Sequence, residues 1–197
     1  HSVERFLGDM ALKEGWPYPL ETTEKKETPV AVVGGGPAGL SCAYHLLRMG
    51  YPVTLFEAQP EAGGICRQAI PDYRLPTETV AGEVSRILDL GIDFRPRTKL
   101  GRDLSLRDLE EGFSAVFLAP GRQAGREWSV ARASPDILLN GLDLLKELKN
   151  IGSLPSWPRV VIVGGGNTGV DLARTLKRAG SREVHIVTDE DLPSQGR

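Results

Sequence analysis

Two glycine-rich segments carry the pattern of residue types that could do chemistry in this chain. They run from Gly34 to Gly39 and from Gly164 to Gly169. In this spacing the first glycine permits a sharp turn, the second lets a diphosphate approach the backbone, and the third lets a helix pack closely on a strand. The N–H groups that begin such a helix offer hydrogen bonds and partial positive charge to phosphate oxygens. Each segment predicts a dinucleotide-binding loop, the alternative being a tight strand–helix turn without a ligand. The residues predicted to bind at the first loop are Gly34, Gly36, Pro37, Ala38 and Gly39.

Carboxylates follow each segment at a distance that suits ribose binding. Glu57 comes 23 residues after Gly34, at the end of an apolar run, where it can accept hydrogen bonds from ribose hydroxyls. After the second segment, Asp189 is followed by Glu190 and Asp191. A carboxylate there accepts a ribose hydroxyl and repels a 2′-phosphate, which favours NADH over NADPH. The other interpretation is that these acids lie in a solvated loop and select nothing.

Each segment lies between a predicted strand and a predicted helix. The apolar run Val30–Val33 is typical of a strand buried on both faces of a parallel sheet. A helix with apolar spacing then reaches Gly50, and a second strand covers Val53–Phe56. The pattern returns 130 positions later (164 minus 34), which indicates a duplicated unit. Its predicted elements are a strand at Arg159–Val163, a helix at Val170–Ala179 and a strand at Glu183–Val187.

The remaining periodicity completes an α/β fold with two Rossmann-like dinucleotide-binding units, parallel sheets flanked by helices, the second incomplete. Apolar spacing predicts a short helical arm before Gly15 and a helix carrying Val80, Val84, Ile87 and Leu88. Short strands at 92–94 and 115–119, a short helix at 105–109 and a helix at about 137–149 follow. The predicted domains are an arm and linker at 1–28, the first part of a dinucleotide-binding domain at 29–125 and an incomplete second one at 126–197; the family resemblance described below implies FAD for the first and NAD(P) for the second.

Composition excludes several classes of function. The formal net charge of −2 over 197 residues argues against nucleic-acid binding, and the apolar runs are far shorter than the roughly 20 residues of a membrane span. Cys42 and Cys66 form no CxxC pair, which argues against a dithiol-based disulfide reductase and suits a reducing, cytoplasmic setting. We predict no metal site and no acid–base catalytic residue, as expected where cofactors supply the chemistry.

The motifs occur in an order that resembles the small (beta) subunit of glutamate synthase and its relatives, including the flavin domains of dihydropyrimidine dehydrogenase. The order is GGGPAGL at 34–40, GGICR at 63–67, IPDYRLP at 70–76 and VGGGNTGVD at 163–171. The resemblance implies that FAD contacts Gly64, Arg67, Arg74, Leu75, Ala119 and Gly121 besides the first loop and Glu57. For Arg67 and Arg74 the alternative is a surface ion pair. It also implies that a nicotinamide cofactor contacts Gly164, Gly166, Asn167, Thr168 and Asp171.

The chain departs from that family at three places. Pro120 replaces the usual threonine and removes a hydroxyl and a backbone donor beside the flavin. Positions 189 and 190 are acidic where two arginines commonly bind a 2′-phosphate. Only 33 residues follow Gly164 (197 minus 164), so we expect a fragment or one part of a split protein.

The resemblance implies a flavin-dependent NAD(P)H oxidoreductase module. In it a hydride passes from NAD(P)H to FAD, and electrons pass on to iron–sulfur centres outside this chain. The expected partner is an iron–sulfur domain or a large catalytic subunit. The alternative is a non-catalytic dinucleotide-binding module with a structural or sensing role.

Overall fold

The computed structural model describes residues 2–20, 24–125 and 137–189. These residues form two compact units. Unit 1 holds the described residues up to 67 together with 75–121, and unit 2 holds 68–74 and the described residues from 122 onward. In chain order, the elements of the described residues are α1 (Ser2–Lys13), β1 (Val30–Val33), α2 (Pro37–Arg48), β2 (Val53–Phe56), α3 (Ile65–Gln68), α4 (Thr77–Leu88), β3 (Asp93–Arg95), α5 (Leu106–Gly112), β4 (Ala115–Leu118), α6 (Gly141–Ile151), β5 (Arg159–Val163), α7 (Asn167–Arg178) and β6 (Glu183–Val187).

The sheet of unit 1 is parallel and has the strand order β3-β2-β1-β4. All four residues of the central strand β1 are buried, as its unbroken run of valine and alanine predicts. Val33 is level with Phe56 on one side and with Leu118 on the other. The residues that follow these three strands therefore meet at the carboxyl edge of the sheet.

Helices cover both faces of this sheet. On one face α2 and α4 pack on the strands, with Ala43 and Val84 in one buried cluster with Val32 and Leu55. On the other face Leu109 of α5 is fully buried against Ala31 and Val33. The predicted α/β class with parallel sheets between helices is confirmed.

Unit 2 contains a two-stranded parallel sheet of β5 and β6, with Val163 level with Val187. Leu172 and Leu176 of α7 are buried, as are Ile162 of β5 and Leu145 of α6. Helix α6 begins at Gly141, later than the predicted 137, because the Asn140 side chain accepts hydrogen bonds from the next residues and acts as its N-cap. The short helix α3 lies in a segment for which the sequence predicted no helix.

The N-terminal arm forms α1 as predicted, and this helix packs on α4. Leu12 of α1 lies against Gly82 of α4, where a β-carbon would come 3.0 Å from Leu12 Cδ2. Within the described residues, no helix combines the length and the apolar character needed to cross a bilayer.

Candidate functional site: two glycine loops

The first glycine loop (residues 34–39) leaves β1 through a turn that only glycine allows. Gly34 has a φ of +108°, and its N–H donates to the Phe56 carbonyl at 2.8 Å. A β-carbon at Gly34 would lie 2.1 Å from the Ala119 carbonyl oxygen. The backbone of Ala119, a residue predicted to contact FAD, therefore approaches the first loop closely.

Helix α2 starts directly against the end of β1. A β-carbon at Gly39 would lie 1.8 Å from the Gly34 carbonyl oxygen, so the close packing requires glycine there. Pro37 and Ala38 begin the helix and are exposed. The N-cap, Gly36, makes no side-chain cap hydrogen bond in the described structure. Helix α2 thus begins without a capping side chain from Gly36, which suits an anion site at a helix N-terminus.

Glu57 directly follows β2, and its side chain is hydrogen-bonded to the first loop. It is 7% exposed, and its Oε2 accepts a hydrogen bond from the Gly35 N–H at 2.7 Å. Its Oε1 accepts from the Gln59 N–H at 2.8 Å. Because each carboxylate oxygen has a second lone pair, these hydrogen bonds leave acceptor capacity for the ribose hydroxyls that Glu57 is predicted to bind.

A second glycine pair lies on the loop. The Gly63 N–H donates to the Gly35 carbonyl at 2.7 Å. A β-carbon at Gly64 would lie 2.8 Å from Gly36 Cα. These two backbone segments form a cradle without side chains, which fits a diphosphate that must approach peptide N–H groups. Gly64 was predicted for the site, whereas Gly63 was missed, although the doubled glycine was a visible signal.

The other residues predicted for the FAD site make contacts of different kinds. Arg67 forms an ion pair with Glu61 at 2.7 Å, and its N–H donates to the Gly64 carbonyl. Leu75 is partly buried against the core of unit 1. Gly121 has a φ of +67° after the exposed Pro120. Arg74 belongs to unit 2, where it contacts α7.

The second glycine loop (residues 164–169) repeats the geometry of the first. Gly164 has a φ of +112°, and its N–H donates to the Val187 carbonyl at 2.8 Å. A β-carbon at Gly169 would lie 2.2 Å from the Gly164 carbonyl oxygen. The N-cap of α7, Gly166, makes no side-chain cap hydrogen bond in the described structure, and Asn167 and Thr168 are exposed. The same uncapped, glycine-lined helix start is therefore present twice.

The two units differ at the residue that follows the second strand. In unit 1 this residue is Glu57, which contacts Gly35. In unit 2 it is Thr188, whose side chain would lie 3.2 Å from a β-carbon at Gly165. Asp189, the predicted ribose ligand, is the next residue and is exposed, and Glu190 and Asp191 lie outside the described residues. Asp171, also predicted for this site, is 4% exposed and paired with Arg74.

The cysteines occupy structural positions in unit 1. Cys42 and Cys66 are both half-buried free thiols that pack against the core. Burial raises the pKa of the Cys42 thiol. A raised thiol pKa disfavours the nucleophilic thiolate, so this residue does not have the character of a redox cysteine.

Comparison with known proteins places this geometry among oxidoreductases. Residues 28–195 match the family model described as pyridine nucleotide-disulphide oxidoreductase. The beta subunit of NADP(+)-dependent formate dehydrogenase from Moorella thermoacetica is 42% identical over 162 residues, which are 80% of this chain and 23% of that protein. The small chain of glutamate synthase [NADPH] from Escherichia coli is 31% identical in an alignment that covers 100% of this chain and 44% of that protein. The chain thus spans less than half the length of either relative.

A solved structure has the same fold. The chain aligns with Mycobacterium tuberculosis FprA in complex with NADPH at a TM-score of 0.70 and 20% identity. The alignment covers 82% of this chain and 43% of that one. At this level of identity the similarity concerns the fold alone.

Proposed function

The chain belongs to the pyridine nucleotide-disulphide oxidoreductase family, and we propose that it is the paired-nucleotide part of a flavin-dependent NAD(P)H oxidoreductase similar to the small subunit of glutamate synthase. The observation that carries this proposal is the repeated helix start. Both glycine loops hold a helix against a strand with a glycine N-cap and no side-chain cap. Two such loops in one chain suit two dinucleotides.

The chain's own residues bind and orient the two dinucleotides. The first loop offers the N–H groups of α2 to the diphosphate of FAD, and Glu57 fixes the loop while keeping lone pairs for ribose. The second loop does the same for the nicotinamide nucleotide at α7. With both cofactors held at these loops, the flavin would supply the chemistry of taking a hydride from NAD(P)H and passing electrons on one at a time.

The partner is an iron–sulfur domain or a larger catalytic subunit. The similar proteins from Moorella and Escherichia coli are named as a beta subunit and a small chain, that is, as parts of assemblies. A flavin that accepts two electrons and releases them singly suits iron–sulfur centres as the next carriers.

Anaerobic flavin reduction tests the proposal on the full-length protein. We expect purified protein to carry flavin absorbance that bleaches when NADH or NADPH is added without oxygen. Bound flavin that resists reduction by both nucleotides would favour the non-catalytic module instead. One observation favours the non-catalytic module as the second candidate. Pro120 is exposed and has no backbone N–H, so it lacks the donor that is expected beside the flavin.

The choice between the nicotinamide nucleotides rests on the end of β6. The two curated relatives described above are named for NADP(+) and NADPH, whereas the exposed acid Asp189 predicts a preference for NADH. Because Thr188 occupies the position that Glu57 has in unit 1, the preference for NADH depends on Asp189 one residue later. The preference for NADH stays a prediction.

We expect Asp189→Asn to raise kcat/KM for NADPH severalfold and to leave the value for NADH within twofold, because the substitution removes one like charge from the neighbourhood of the 2′-phosphate. Steady-state rates with both nucleotides at low ionic strength measure the ratio. The matched control is Asp103→Asn, another exposed acid that pairs with Arg102 in unit 1. An unchanged ratio in Asp189→Asn would remove the basis for an NADH preference.

A further inference from the structure

The segment 68–74 is held on the helices of unit 2. The Arg178 guanidinium of α7 stacks on the Tyr73 ring, 3.8 Å from its centroid. Lys149 of α6, whose side chain is only 8% exposed, forms an ion pair with Asp72. These contacts from two helices fix the backbone of the segment.

Asp171 of α7 is a buried carboxylate that contacts this segment. Its side chain is 6% exposed, and its Oδ2 accepts a hydrogen bond from Arg74 Nη1 at 2.8 Å. The Tyr73 hydroxyl lies 3.5 Å from the other oxygen, Oδ1, and donates to the Asp171 backbone carbonyl at 3.3 Å. A buried carboxylate is costly without a cationic partner, so the pair holds the Arg74 guanidinium in one place.

The Arg74 guanidinium lies along the first turn of α7. Its Nη2 donates to Oδ1 of Asn167 at 3.4 Å, and Asn167 precedes Asp171 by four residues. Residues four apart on a helix are neighbours on its surface, so the two side chains hold the guanidinium at both of its terminal nitrogens. A planar group held at two points has a defined orientation, which one ion pair alone would not give.

Part of the same guanidinium stays open to a ligand. Its two hydrogen bonds to α7 use two of the five N–H donors of an arginine. The Arg74 side chain is 43% exposed, although its carboxylate partner is buried. Arg74 also directly precedes Leu75, which is partly buried against the core of unit 1. The ion pair is therefore compatible with the FAD contact predicted for Arg74, and Asp171 sets where this cation lies.

We propose that Asp171 is a positioning residue, which contributes to FAD binding by holding the guanidinium of Arg74. This inference rests on the proposed function, because it takes FAD to be bound and Arg74 to be one of its ligands. A residue on the helix of the second glycine loop then contributes to the binding of the cofactor at the first.

The test is the rate at which the full-length protein loses FAD on dilution, measured in a double-mutant cycle. We expect Asp171→Asn, which keeps the shape of the side chain and removes its charge, to speed FAD loss about fivefold. Arg74→Gln, which loses the guanidinium, speeds FAD loss about tenfold. In the Arg74→Gln background, Asp171→Asn changes the rate by less than about twofold, because no guanidinium is left to position.

Arg74→Lys separates positioning from a purely structural role of the ion pair. A lysine keeps a cation beside Asp171, so urea unfolding shows wild-type stability, and this variant folds even if Arg74→Gln does not. Its single nitrogen lacks the planar fork, so FAD is lost nearly as fast as from Arg74→Gln. The matched control is Glu111→Gln, because Glu111 pairs with Arg107 at the same 2.8 Å but both side chains are exposed. This control leaves FAD loss unchanged.

Three results would each overturn the proposal: wild-type retention of FAD in Asp171→Asn, an equal effect of Asp171→Asn in both backgrounds, or wild-type retention of FAD in Arg74→Lys. Bound FAD that resists reduction by NADH and NADPH would reject the proposed function and not this proposal, because the cycle measures FAD binding. Wild-type protein that binds no FAD would reject both.

Discussion

At the scale of the residue, Glu57 has a structural role in addition to the ribose binding predicted for it. Both carboxylate oxygens accept backbone N–H groups, from Gly35 and from Gln59, while the residue is almost fully buried. Position alone allowed Glu57 to be predicted as a ribose ligand, because an acid at the end of the second strand of such a unit faces the nucleotide. The hydrogen bond from the Gly35 N–H to Glu57 could not be predicted, since it depends on how closely β1 and β2 approach each other.

We expect Glu57→Gln to destabilise unit 1 by about 1–3 kcal/mol, because the new amide NH2 must face one of the two N–H donors and leave it unsatisfied. We also expect the Glu57→Gln variant to release flavin more readily, because the unsatisfied N–H donor weakens the loop that binds it. Urea unfolding and the rate of flavin loss on dilution measure the two effects. Glu61→Gln, which changes a 60% exposed carboxylate in the same connection, is the control. Equal stability of the Glu57 variant would show that its hydrogen bonds contribute little.

At the scale of the element, a polar cluster on α4 holds the end of the N-terminal arm within unit 1. The Tyr18 hydroxyl donates to Glu83 at 2.6 Å, and the Arg86 guanidinium lies 4.4 Å from the centroid of the Tyr18 ring. Arg86 also donates to the Trp16 carbonyl. Burial and the Glu83 carboxylate raise the pKa of Tyr18 to about 12. The periodicity of residues 3–10 predicted a helix there, but the residues after it carried no signal for this cluster.

Tyr18→Phe removes the hydroxyl and keeps the ring, so we expect a loss of about 1 kcal/mol in the free energy of unfolding. A pKa raised in the folded state means that this stabilisation is fully present below pH 10 and declines as the pH rises toward about 12. Chemical unfolding at neutral and alkaline pH measures the difference between variant and wild type. Tyr51→Phe, whose ring lies beneath Lys26, is the matched control. A difference that grows with pH would contradict the assignment.

At the scale of the whole molecule, the same strand–glycine loop–helix arrangement occurs twice, once in each compact unit. Gly39 and Gly169 have the same task, since a β-carbon at either would collide with the carbonyl of the first glycine of its own loop. Each unit is built around its own parallel strands. Damage to one loop should therefore leave the other intact.

We expect Gly39→Ala to lose FAD, and Gly169→Ala to keep FAD but lose its reduction by NAD(P)H. In each case the added methyl forces the helix away from its strand and displaces the N–H groups that face the diphosphate. Flavin absorbance and anaerobic bleaching distinguish the two variants. Gly112→Ala is the control, because nothing lies within 4 Å of a β-carbon there. Loss of FAD from both variants would show that the loops are not independent.

The sequence by itself determined the two strand–loop–helix units. β1, β2, β5 and β6 have the predicted bounds, because continuous apolar runs, turn glycines and helix periodicity are local properties of neighbouring residues. The start of α6 was misplaced because a single capping side chain, Asn140, decides it.

The tertiary structure alone decided which residues meet across long sequence separations. It put Gly63 against Gly35, Thr188 against Gly165, and Arg74 on Asp171, 97 positions away. The motif order predicts that Arg74 contacts the flavin, and the structure adds its contacts with Asp171 and Asn167 of α7, which the sequence did not indicate. The physical reason is that spacing along the chain limits where a backbone can turn, whereas the partner of a charged side chain is set by which buried opposite charge folding brings within hydrogen-bond distance.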